Sequence, residues 1–192
     1  MNARRAFLQG IGITALGAVM VLSAQSPVAA SPNAGTHQEC RGVTVDKAAP
    51  VISRASVLVK APLARVWRLH ADIDRWQSWV PEIAPAHKVT PGPLRPGSVF
   101  TWSPQNMQVR SAIKTITPLR CTAWGAPVNG ITGVHLWTFK PTKDGVLATT
   151  EESWAGPPVE ADVPGSQASL DQGLRDWAQR LKATAESQSG CR

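Results

Sequence analysis

His135 and Glu152 are the two residues of this 192-residue chain whose types and positions could do chemistry together. The argument is strand alternation, since successive side chains of a strand point to opposite faces. In the run Gly133 to Lys140 the lysine belongs in water, so Thr138, Leu136 and Val134 share its face and Phe139, Trp137 and His135 turn inward. In the run Val146 to Trp154, residues Thr150, Glu152 and Trp154 share a face that the large indole marks as the inner one. An apolar interior disfavours the charged forms of such groups unless they are paired, and perturbed groups of this kind concentrate at functional sites. Three readings stay open. His135 is a general acid/base oriented by Glu152, the two fix a polar group of a ligand, or they form a structural pair. A register slip of one residue would instead turn Glu152 outward.

The same alternation picks out candidate ligand contacts around that pair. Ser111 and Ile113 turn inward beside outward Arg110, Ala112 and Lys114, and Phe100 and Trp102 turn inward beside Thr101 and Ser103. Trp102, Trp124, Trp137 and Trp154 are the sheet indoles expected to line a cavity, with Trp79 as a further candidate. Trp67, Trp79 and Trp177 also sit at helical spacing that suits a core. The four histidines show no metal-ligand spacing, so neither a metal nor another cofactor is expected. Eight Trp against zero Tyr suits a broad apolar interior with few polar handles.

These residues need a scaffold, and turn signals delimit it. Val51 to Val59 reads as a strand with Val51, Ser53, Ala55, Val57 and Val59 on one face. Pro62 suits the first turn of a helix, which carries Leu63, Val66, Trp67 and Leu69 toward the core. Asp72 starts a second short helix with Ile73, Trp76, Trp79 and Val80, ended by Pro81. A weak strand at Ala86 to Val89 precedes strand-like runs at 99–103, 107–116, 119–124, 133–140 and 146–154, separated by signals such as Pro96-Gly97, Asn129-Gly130 and Asp144-Gly145. Ala155 to Pro158 and Thr90 to Pro96 are expected to be loops at a cavity mouth. A helix from about Gln167 to Ser187 puts Leu170, Leu174, Trp177 and Leu181 on one stripe, with Asp171, Arg175, Gln179 and Lys182 toward water. Short connections exclude a parallel doubly wound sheet, which needs crossover helices. The fold class is α+β, in the order β-α-α-β-β-β-β-β-β-α, and the apolar stripe belongs against the sheet.

The N-terminus reads as a targeting segment. Arg4 and Arg5 followed by Ala6, Phe7 and Leu8 fit a twin-arginine signal. The uncharged run Ile11 to Leu22 is shorter than the roughly 20 residues a membrane span needs. Val28 and Ala30 stand at positions −3 and −1 of a cleavage site before Ser31. A retained anchor is the alternative. The expected organisation is a signal peptide at 1–30, a flexible leader at 31–50, a domain at 51–187 and a tail at 188–192, with the product periplasmic or secreted. The net charge of +7 includes Arg4 and Arg5, and the remaining basic residues are scattered. No nucleic-acid-binding stripe is formed. The membrane is a partner only during export, and the mature domain is expected as a monomer or weak dimer. In an oxidising compartment Cys40 and Cys191 are the candidate disulfide, with Cys121 a small buried hydrophobe.

Read in order, the residues carry a family likeness. Ala61-Pro62, Val66-Trp67, Asp72, Trp76, Trp79-Val80-Pro81, Gly97, Phe100, Trp102, Ser111, Ile113, Pro118, Trp124, His135, Trp137, Phe139, Gly145, Glu152 and Gly156 resemble the START-like helix-grip superfamily (SRPBCC), in its polyketide cyclase/dehydrase-like branch. The resemblance runs from about Val51 to Glu186. It implies a curved seven-stranded antiparallel sheet gripping a C-terminal helix around a ligand cavity. The implied function is an exported carrier for a small hydrophobic molecule, aromatic or lipid-like. The alternative is a cyclase/dehydrase-like enzyme moving protons through His135 and Glu152. The leader and the tail cysteine depart from the cytoplasmic habit of most relatives.

Overall fold

A computed structural model describes Cys40 and residues 42–187; the twin-arginine segment, residues 31–39 of the leader and Cys191 lie outside the described residues. The chain forms β1 (Val51–Val59), α1 (Leu63–Ala71), β2 (His87–Lys88), β3 (Val99–Trp102), β4 (Val109–Thr117), β5 (Cys121–Val128), β6 (Ile131–Thr142), β7 (Gly145–Ala155), a short α2 (Pro157–Ala161) and a long α3 (Val163–Ser187). A two-turn 3₁₀ segment lies at Ile73–Ser78, and one-turn segments lie at Pro81–Ile83 and Pro104–Asn106. The strands make one seven-stranded sheet in the order β1-β7-β6-β5-β4-β3-β2, and each pairing is antiparallel. This is the expected helix-grip architecture.

Local chemistry accounts for the elements. Asn129 and Gly130 both take positive φ, 50° and 79°, the two-residue hairpin geometry that matches strand twist, and they join β5 to β6. A register shift between Ile113 and Thr115 bulges β4, and a bulge bends its strand. The Asp162 carboxylate accepts from the Gly165 amide at 2.9 Å, satisfying one free N–H at the start of α3. That helix begins four residues earlier than the sequence spacing predicted. Its stripe Leu170, Leu174, Trp177 and Leu181 is buried as expected. Asp171 does not simply face water: it accepts from Ser53 Oγ and Gln167 Nε2, tying α3 to β1. The Ser53 hydroxyl, and then the Gln167 amide, hold its carboxyl below the usual range.

The outer face of the sheet differs from expectation. Strand alternation puts Leu136 and Thr138 in water with Lys140, yet both are buried. Residues Cys40, Val43 and Val45 cover Cys121, Ala123 and Leu136 there, and the Asp46 amide donates to Ser153 Oγ at 3.0 Å. Val43 and Val45 of the leader are therefore packed on the sheet, and four consecutive residues at the start of β5 are buried because both faces are covered.

The disulfide is a correction. Cys40 is bonded to Cys121, with Cα atoms 5.8 Å apart, so the Cys40–Cys191 candidate is excluded and Cys121 is not a free hydrophobe. The cause is the packed leader, which lays Cys40 over the outward face of β5.

Candidate functional site

β6 and β7 place His135 directly opposite Glu152. Both are buried, at 1% and 7% exposure. Nδ1 of His135 lies 2.9 Å from Glu152 Oε2, but off the line of a ring N–H hydrogen bond. Nε2 lies 2.7 Å from the Thr150 hydroxyl. The other carboxylate oxygen of Glu152 accepts from Trp154 Nε1 at 2.9 Å. The pair is therefore fixed from three sides.

The pair stands in the wall of a cavity of about 140 Å³ between α3 and one end of the sheet, open on one side. Of the expected contacts, Trp102, Ser111, Trp124 and Trp154 line it together with His135 and Glu152. Trp102 Nε1 donates to Ser111 Oγ at 2.9 Å, which fixes that indole. Trp79, Phe100, Ile113 and Trp137 do not line the cavity; they are buried in the main core. Alternation gives the face a residue points to, not its position along the strand. Trp137 and Phe139 sit where α1 packs, and Trp67 meets Phe139 edge-on at 5.7 Å. The cavity lies toward the Asn129-Gly130 turn, where β5 and β6 carry Gly125, Ala126, Val128, Ile131 and Gly133.

Sequence reasoning missed other wall residues. Trp177, expected in the core, is buried and also lines the cavity, with its ring 5.2 Å from that of His135. Gly133 is a gap in the wall: a Cβ there would meet Glu152 Oε1 and Trp154 Cδ1, each at 3.6 Å. The expected mouth loops 90–96 and 155–158 do not line it; Glu82, Ile83, Pro104 and Gln105 do. Two contacts cross that rim. Gln105 Nε2 donates to Ser169 Oγ at 2.6 Å, and Arg180 pairs with Glu82.

His70 lies four residues after Val66, on the buried face of α1. It is 1% exposed and packs among Trp67, Trp76, Trp124, Trp137 and Phe139. Burial first, and the charge of His135 second, push its pKa down to about 3. The ring is neutral, with Nε2 2.6 Å from the Thr122 hydroxyl. It is a core residue rather than a ligand contact. Among the described residues no group of His, Cys, Asp and Glu is arranged to hold a metal ion. No helix among them is long and apolar enough to cross a membrane.

Sheet, gripped helix and intervening cavity define the class as START-like, a fold that houses apolar ligands. The chain belongs to the polyketide cyclase/dehydrase and lipid transport family, whose sequence model matches residues 50–186. No protein of curated function matches it in sequence. Among solved structures it is similar to the Zhui aromatase/cyclase from Streptomyces sp. R1128, with a TM-score of 0.63 at 14% identity over 73% of this chain and 96% of that one. A START superfamily protein from Mycobacterium smegmatis gives 0.61 at 14% identity, covering 71% and 98%. A hypothetical protein from Helicobacter pylori gives 0.61 at 18% identity, covering 70% and 86%. These likenesses concern the fold.

Proposed function

We propose that this chain is exported through the twin-arginine route and acts outside the cytoplasm as a binding or carrier protein for a small hydrophobic molecule. The observation that carries the reading is the indole-lined cavity. Its volume is close to that of an engineered apolar cavity of about 150 Å³ that binds benzene, and below the roughly 300 Å³ at which drug-sized pockets begin. One aromatic ring or a short branched chain suits it better than a fused-ring polyketide.

The family also contains cyclases, and the His135–Glu152 contact is what an enzyme would use. A general base needs a nitrogen within reach of the substrate proton. Both ring nitrogens of His135 already lie against protein oxygens, which favours binding over turnover. Native mass spectrometry of the freshly purified exported protein tests this, with a co-purified apolar mass expected. Turnover of an aromatic polyketone that His135→Ala abolishes would overturn the carrier reading. Replacing Arg4 and Arg5 by lysines is expected to keep the protein out of the periplasmic fraction, and unchanged export would refute the route.

A further inference from the structure

The net charge is +7, yet no Lys or Arg lines the cavity; its charged lining residues are Glu82, Glu152 and Asp176, together with the titratable His135. Arg180 neutralises Glu82 at the rim, and Asp176 is exposed with a bond from Gln172. Of the three carboxylates only Glu152 is buried, beside the equally buried His135. It stands among four indoles, Trp102, Trp124, Trp154 and Trp177. Gly133 leaves the space beside its carboxylate unfilled by any side chain.

We propose that the cavity selects a one-ring organic cation, an arylalkyl ammonium, over neutral or anionic molecules of the same size. This deepens the carrier reading and rests on it. Indole faces carry negative potential and attract a cation, most strongly where water is excluded. A buried carboxylate does the same, and it opposes a second negative charge. An anion would have to be buried beside Glu152 with no Lys or Arg in the lining to compensate it. The group facing Glu152 from β6 is His135, whose charge would cancel that of the carboxylate. A bound cation requires the imidazole neutral, with Nε2 accepting from the Thr150 hydroxyl, an arrangement the 2.7 Å contact allows. From β7 Glu152 meets only the indole N–H of Trp154, a neutral donor.

The test is calorimetric titration of the full, disulfide-bonded chain with benzylammonium, benzyl alcohol and benzoate, three one-ring probes differing in charge. Benzylammonium is expected to bind roughly thirty-fold tighter than benzyl alcohol, the factor a desolvated cation–π contact supplies, and benzoate weakest. The isosteric Glu152→Gln is expected to lower benzylammonium affinity more than benzyl alcohol affinity, so that the ratio between the two probes falls. Equal binding of ammonium and alcohol, or preference for benzoate, would overturn the charge selection and leave the carrier reading standing. Binding of none of the three would overturn both. The wild-type comparison needs no variant, so poor folding of Glu152→Gln leaves the test intact.

Discussion

Gly133→Ala is expected to stabilise the protein and weaken it as a binder. Gly133 lies within β6, its φ is outside the positive region, and it pairs with Trp154 and Ala126. A methyl group there would reach ordinary van der Waals contact with Glu152 Oε1 and Trp154, at 3.6 Å, and would clash with no backbone. Alanine restricts the unfolded chain more than glycine does, so stability should rise by about 0.4–1 kcal/mol. The same methyl occupies cavity space that a ligand would fill. Excluding one methylene-sized contact costs about 0.8 kcal/mol, a roughly fourfold loss of affinity for a one-ring probe. Urea unfolding of the ligand-free protein reads the first effect and calorimetry with benzyl alcohol the second. Opposite signs are the expected result. A fall in both would mean that the methyl strains the sheet, and unchanged affinity would place the ligand somewhere other than beside Gly133; either refutes the reasoning.

Three further outcomes are expected. Cys40→Ser should lower stability by about 2–4 kcal/mol, because the bridge closes a long loop with a sequence separation of 81; a urea midpoint equal to wild type under oxidising conditions would contradict the bridge. His70, with its pKa pushed down to about 3 from 6.5, binds its proton more readily in the unfolded chain. Its contribution to stability is complete above pH 6.5 and is lost by about 1.4 kcal/mol per pH unit as pH falls from there toward 3. In the folded protein its ring resonances should not titrate between pH 7 and 5, and a mid-range titration would refute its burial. Trp154→Phe removes the indole donor to buried Glu152 and should cost about 1–3 kcal/mol in thermal or urea unfolding; a change near zero would show the carboxylate to be solvated.

Much of this arrangement was legible in the sequence because it follows from periodicity. Alternation counted from Lys140 and Trp154 turned His135 and Glu152 to one face, and the structure pairs them across β6 and β7. The stripe from Leu170 to Leu181 is the face by which α3 packs on the sheet. What stayed hidden depended on contacts between distant segments. Leu136 is outward by count and buried in fact, because the segment around Cys40 and Val45 lies over it. Trp137 points to the same face as His135 but sits further along β6, so it fills the core instead of the cavity. No local rule separates the two. The glycine that opens the wall, Gly133, is silent by pattern alone, since its contribution is the absence of a side chain beside Glu152.

The most direct measurement follows the eight indole N–H resonances during titration with toluene, a neutral ring of the size the cavity suits. Trp102, Trp124, Trp154 and Trp177 line the cavity, and their resonances should move most, saturating together with one affinity. If nothing moves, or if the largest shifts fall on Trp67 or Trp79, the hollow between α3 and the sheet is not where this protein holds a ligand.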